Sequence, residues 1–208
     1  MLIVPYAEVR RETSVVNSRF IASLAPANSV EEARAFIQTI RAEFPDATHH
    51  VPAFIIGGGN TTTEFCSDDG EPSGTSGRPL LAVLKGSGLG NAVVVVTRYF
   101  GGSLLGTGGL VKAYTEAGKA VVEAVARAEV LEAGEVELDL PYQLFDRLRI
   151  LLGEVGARSL GETFDEAVHV RLEVAMDDLP RLEARLGELG SGALRPRLVA
   201  KRLSRRPL

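Results

Sequence analysis

The segment Asn91–Arg98, NAVVVVTR, constrains the fold of this chain more than any other stretch. Ala92 and four consecutive valines make an uninterrupted apolar run with the length of a buried strand, far short of the roughly 18 residues needed to cross a bilayer. The residues after it are as informative. A glycine-rich stretch leads into Gly109–Ala128, where Leu110, Ala113, Tyr114, Ala117, Val121, Ala124 and Val125 recur on one side. The order is therefore a buried strand, a glycine-rich loop, and the longest helix of the chain.

Upstream, Glu8–Val16 and Arg19–Leu24 are rich in β-branched and alternating residues, which predicts two strands around a tight connection at Asn17-Ser18. Ser29 and Glu32 have capping-box spacing, Val30, Ala33, Ile37, Ile40 and Phe44 repeat at helical intervals, and Pro45 stops the run. His49–Ile56 and Thr61–Cys66 read as a hairpin across Gly57-Gly58-Gly59-Asn60, with Pro52 pushing the first strand towards an edge or a bulge. A short helix is expected at Leu80–Lys85. Beyond Leu131 the rhythm changes. A strand at Glu135–Leu140, a helix near Gln143–Val155, strands at Ala157–Thr163 and Ala167–Ala175, a helix at Leu179–Leu189 and a final strand at Ala193–Leu203 give the βαββαβ order of a ferredoxin-like unit. With 208 residues, 45% of them hydrophobic, the chain can fill two cores. The expected division is 1–131 and 132–208, in an α+β fold.

Charge is mild overall, at −4, but uneven at the end of the chain. No acid follows Glu188, while Arg195, Arg197, Lys201, Arg202, Arg205 and Arg206 do. Such a run is either a solvated strand edge that blocks aggregation or an electrostatic footprint for phosphates. In the second case Arg195, Arg197 and Lys201, separated by even numbers on one strand, form a cationic row for RNA. The single cysteine, Cys66, excludes an intramolecular disulfide and a cysteine-based zinc cluster, and reads as a small buried residue. The N-terminus MLIVPYAEVR has no basic leader and no cleavage-like site, so a cytoplasmic chain without a membrane anchor is expected.

Two loops hold the chemistry. Residues 67–79, SDDGEPSGTSGRP, are free of apolar side chains apart from proline and present Asp68, Asp69, Glu71, Ser73, Thr75 and Arg78. The carboxylates suit a hard cation but lack the ligand spacing of an EF-hand; the other reading is a rigid loop whose side chains bond its own backbone. Residues 98–112 bring Arg98, the glycine-rich run Gly106, Thr107, Gly108 and Gly109 that enters the long helix, and Lys112 together in sequence. Free amides of a first helical turn, the helix dipole and two cations make a phosphate or RNA-backbone site, with Thr107 as a possible N-cap; tight packing of helix on sheet is the alternative. The loop matches neither GxxxxGK[ST] nor GxGxxG. His49 and His50 are adjacent on a strand and face opposite ways. No catalytic base and nucleophile are arranged in sequence, and no cofactor or metal is assigned.

SDDGEPSGTSGRP (67–79) followed by VVVVTRYFGGSLLGTGGLVKAY (93–114), with NSRFIA (17–22) and FPDATHH (44–50) upstream, resembles the Impact/YigZ family. The chain departs from the family pattern at Asn17, where a lysine is usual, and at His49-His50-Val51. The resemblance implies an N-terminal domain like the second domain of ribosomal small-subunit protein five, with a left-handed βαβ crossover, where chain physics alone favours the right hand. It also implies a ferredoxin-like C-terminal domain similar to domain V of elongation factor G. Eukaryotic relatives regulate translation by competing for a ribosome-associated activator of a stress kinase. The expected function is a translation-associated protein that binds RNA, the ribosome or a ribosome-associated partner. The alternative is an enzyme acting on a small phosphorylated ligand or nucleotide at the 98–112 loop.

Overall fold

The computed structural model describes residues 2–58 and 61–208, in two compact units. One takes in the chain up to Glu129 together with Arg206–Leu208; the other is Val130–Arg205. The elements are β1 (Leu2–Pro5), β2 (Val9–Val15), β3 (Ser18–Pro26), α1 (Val30–Glu43), β4 (His49–Gly58), β5 (Thr61–Cys66), α2 (Gly77–Gly86), β6 (Ala92–Tyr99), α3 (Gly106–Ala124), β7 (Arg127–Leu140), α4 (Tyr142–Val155), β8 (Arg158–Phe164), β9 (Val168–Ala175), α5 (Leu179–Leu189) and β10 (Arg197–Pro207). The fold is α+β.

The valine run becomes β6, the middle strand of a sheet ordered β2-β3-β6-β4-β5 and antiparallel to both neighbours. Alternation divides its side chains between two cores. Ala92, Val94 and Val96 pack with Leu80 and Leu84 of α2 and Leu110, Tyr114 and Val121 of α3. Val93 and Val95 pack with Ala33, Ile37 and Ile40 of α1. Cover on both faces is why the run is continuous instead of alternating, and each fully buried valine contributes about 1.5–3 kcal/mol. Helix α1 carries the chain from β3 to β4, which are both antiparallel to β6 and hence parallel to each other.

The Ser29 cap forms as the spacing predicts, its side chain accepting from the Glu32 amide at 3.1 Å. The return half shifts by one residue, because the Glu32 carboxylate takes the Asn28 amide at 2.8 Å. Pro52 does not mark an edge: β4 is an interior strand. The proline is tolerated because pairing with β5 begins only at Ala53, and the Pro52 carbonyl on that side takes the Ser67 amide. Gly59 and Asn60 of the expected hairpin turn lie outside the described residues. Helix α3 starts three residues earlier than periodicity predicts and ends at Ala124. Position Leu105 is its N-cap without a side-chain bond, which puts Thr107 inside the first turn instead of at the cap.

In the other unit β9 pairs antiparallel with both β7 and β8, and β10 pairs with β7, giving the ferredoxin-like order β10-β7-β9-β8. Val136, Leu138, Leu140, Val170, Leu172 and Leu148 share one core with Leu182 and Leu186 of α5. The last strand begins at Arg197, not Ala193, so Arg195 precedes it and alternation does not seat Arg195 in a row with Arg197 and Lys201.

The β2–β3 connection is a two-residue turn at Val16-Asn17, one residue earlier than expected, with Val15 opposite Ser18. Both turn residues have positive φ, 44° and 64°. Such a turn matches the strand twist, but a β-branched residue suits the left-handed region poorly. Val16 is 60% exposed, so little packing holds it there. Val16→Asn should therefore stabilise the protein by about 1 kcal/mol. The check is a higher urea midpoint at unchanged slope.

Candidate functional site

Arg98 continues the buried row Ala92, Val94, Val96 on β6, directly opposite Phe20 on one side and His49 on the other. It is 5% exposed. A guanidinium so placed cannot stay unpaired, and the 67–79 loop supplies its counter-charge. Glu71 Oε1 accepts from Arg98 at 2.7 Å and from the Tyr114 hydroxyl of α3 at 2.7 Å. Burial, followed by the hydrogen bond to Glu71, pushes the Tyr114 hydroxyl up, so it stays a donor. Tyr114 meets Phe20 edge to face at 5.3 Å, and the Arg98 guanidinium lies 5.5 Å from Phe20 and 5.6 Å from the Phe100 ring. Ser18, fully buried, accepts from Arg98 at 3.4 Å and from the Gly101 amide at 3.2 Å. Gly101 must be glycine: a Cβ there would stand 2.1 Å from the backbone of Asn17.

The acidic loop is held from inside. Asp68 accepts from the amides of Gly74 and Gly77 at 2.8 Å, and from the Ser76 hydroxyl at 2.8 Å and amide at 3.2 Å. It thereby caps α2, whose Ser76 makes no side-chain cap of its own. Burial pushes the Asp68 carboxyl up, but these donors outweigh it and leave it below its ordinary value. Asp69 pairs with Arg41 and accepts the His50 amide at 2.6 Å. Thr75 bonds back to the Pro72 carbonyl at 2.7 Å, while Ser73 and Arg78 are exposed. Of the two readings of this loop, the self-bonded one describes its geometry. Among the described residues no three His, Cys, Asp or Glu side chains cluster as metal ligands do.

The histidines divide as their parity requires. The ring of His50 is bonded to the Phe44 carbonyl at 2.9 Å, tying β4 to the end of α1. His49 turns to the site: its Nδ1 donates to the Asp69 carbonyl at 2.8 Å, since a carbonyl can only accept. Its Nε2 faces Glu71 at 3.8 Å. His49, Glu71, Arg98, Phe100, Gly106 and Thr107 are among the residues lining a pocket of about 420 Å³. Both loops thus reach one pocket. Gly108 and Lys112 are exposed further along α3. Sequence reasoning misses Ser18, the role of Tyr114 and the inward turn of Glu71. The parity of Arg98 with the buried valines is the available signal, because it demands an acid nearby.

The candidate RNA-binding cations are arranged differently. Arg197 pairs with Glu137, Lys201 lies 3.8 Å from Glu132, and Arg202 bonds Glu173 at 2.7 Å. That unit therefore presents alternating charge instead of a bare cationic row.

The Impact N-terminal domain family matches residues 16–122. The IMPACT family member YigZ of Escherichia coli K12 is 36% identical over 193 residues, 92% of this chain and 95% of that protein. This chain belongs to the IMPACT family. A crystal structure of a hypothetical protein, 35% identical, superposes with a TM-score of 0.61 over 96% of this chain and 97% of the other. The two-domain translational regulator Yih1, 26% identical, aligns over 59% of this chain and 47% of its own, with a TM-score of 0.37. The family match runs from the Val16-Asn17 turn to α3, so Ser18, Glu71, Arg98 and Tyr114 all fall within it.

The loop staple gives an acid-side signature. A carboxylate held below its ordinary value contributes stability that is complete above about pH 5 and is lost as pH falls through its folded value. Asp68→Asn should lower the urea midpoint at neutral pH, and the gap to the parent should shrink steadily below about pH 4.

Proposed function

We propose that this protein is a cytoplasmic binding protein of the translation apparatus, which contacts RNA or a ribosome-associated partner with the loop face of its first unit. The observation that carries this reading is the mouth of the pocket. Phe100 and Leu104 stand 45% and 90% exposed beside the uncapped start of α3, while the charges behind them are spent on each other. Exposed apolar side chains beside free helical amides suit a docking surface. The IMPACT membership adds the translation link, through the regulatory relatives that the sequence motifs resemble. No helix among the described residues is long and apolar enough to cross a membrane. The second reading, an enzyme acting on a small phosphorylated ligand or nucleotide, is favoured by one observation, the His49 Nε2 held towards Glu71.

Co-sedimentation with ribosomes over a salt series tests the proposal. The double variant Phe100→Ser, Leu104→Ser should lose association by roughly tenfold or more, equivalent to about 1.4 kcal/mol. A variant with Arg195, Arg197 and Lys201 changed to Gln should keep the parent salt dependence, because at least two of these cations already face carboxylates. Phosphate contacts by the tail would instead lower the log–log slope by roughly 0.7 per cation on single strands. Absence of the parent protein from the ribosome pellet at every salt concentration would remove the reading.

A further inference from the structure

The pocket behind the loop face holds a carboxylate that is only half used. The Glu71 side chain is 3% exposed, and both donors that reach it, Arg98 and the Tyr114 hydroxyl, go to the same oxygen, Oε1. Its Oε2 accepts no hydrogen bond among the described residues, and it is not sealed in: the sealed side-chain atoms without a partner there are Thr13 Oγ1, Thr97 Oγ1 and Arg98 Nε. A buried carboxylate oxygen with free lone pairs and an open approach is uncommon, and it marks a place for a donor. The atom facing it does not supply one. His49 Nε2 stands 3.8 Å away, beyond hydrogen-bond reach. Because Nδ1 of this ring donates to the Asp69 carbonyl, the neutral ring presents Nε2 as a second acceptor. Two acceptors, one from β4 and one from the 67–79 loop, therefore face each other on the wall of one pocket.

The rest of the wall describes the remainder of a ligand. At about 420 Å³ the pocket falls in the size range of small-molecule sites, about 300–1,000 Å³. Phe100, Leu105 and Leu110 make it apolar, and Thr107 adds a hydroxyl. Among the described lining residues Glu71 is the one acid, and its charge is already matched by Arg98. A ligand cation would bring an unmatched charge into the pocket, and so would a ligand anion.

We propose that this pocket binds a small neutral aromatic carboxamide, its NH₂ group donating to Glu71 Oε2 and His49 Nε2, its carbonyl accepting from the Thr107 hydroxyl, and its ring lying on Phe100 and Leu110. The two hydrogens of one amide nitrogen diverge, as two acceptors 3.8 Å apart require. The occupant is a separate matter from ribosome association, and each can hold without the other.

The test uses the full chain in nuclear magnetic resonance titrations, with benzamide, N,N-dimethylbenzamide, benzoate and benzamidine as probes that share one ring. Benzamide should give saturable shifts at the Glu71 and Thr107 amides and at the His49 ring. The dimethyl compound keeps ring and carbonyl but has no donor, and should bind at least about tenfold more weakly, as loss of a hydrogen bond to a charged group implies. Benzoate and benzamidine, each carrying an unmatched charge, should also bind more weakly than benzamide. His49→Phe keeps a ring and removes one acceptor, and should weaken benzamide about fivefold. The proposal is overturned if benzamide gives no saturable shifts, or if the dimethyl compound binds as tightly, since the open oxygen would then go unused. Benzamidine binding more tightly than benzamide would overturn the neutral assignment. A folded His49→Phe that binds benzamide as the parent does would overturn the part given to His49; should that variant not fold, the probe series on the parent still decides.

Discussion

The ion pair between Arg98 and Glu71 is the constraint on which the rest of the first unit depends. A cation at the end of a buried strand row must be neutralised in place, and removing one partner of such a pair costs about 3–5 kcal/mol. Neutralising it here requires the 67–79 loop to come inward, α3 to present Tyr114, and β3 to present Ser18, whose hydroxyl in turn fixes Gly101. One pair therefore registers a loop, two strands and the longest helix. Asp68 and Asp69 make the arrangement stiffer, by capping α2 and by pinning the His50 amide. The 98–112 loop is then free to turn its apolar side chains and its helix start outward.

This division of labour explains why an acidic loop and a cationic strand end do not act as they read in sequence. Their charges face each other, and the surface they leave is apolar and amide-rich. The ferredoxin-like unit follows the same rule on its own scale, with basic side chains of β10 meeting Glu132, Glu137 and Glu173. Burial pushes the Glu173 carboxyl up, but bonds from Arg202, Ser204 and Arg158 hold it below its ordinary value. Arg197, Lys201 and Arg202, which look unopposed along the chain, are opposed by acids of β7 and β9.

Helices and strands are largely legible because their signals are local. The Ser29 cap, the spacing of Ile37 and Ile40, and the alternation through Val136 and Leu138 all act over a few residues. Pro52 misleads, because whether a missing N–H matters depends on where the neighbouring strand ends, which is a property of the pairing. Arg98 stands out in sequence for its place before the glycines, yet its burial follows from a parity shared with Val94 and Val96. Glu71 is one of three similar acids, and only the folded loop selects it. Arg195 slips from its expected row because Ala193–Pro196 does not continue the last strand. The site is legible as two segments, and its internal wiring is not.

A double-mutant cycle on Glu71→Gln and Arg98→Gln, with stability measured by urea unfolding, tests the dependence on this pair most directly. If the pair organises the site, each single change is strongly destabilising and the second adds little, giving a coupling energy of about 2 kcal/mol or more. Additive effects, within about 0.5 kcal/mol, would show that the two side chains act independently and would contradict the account.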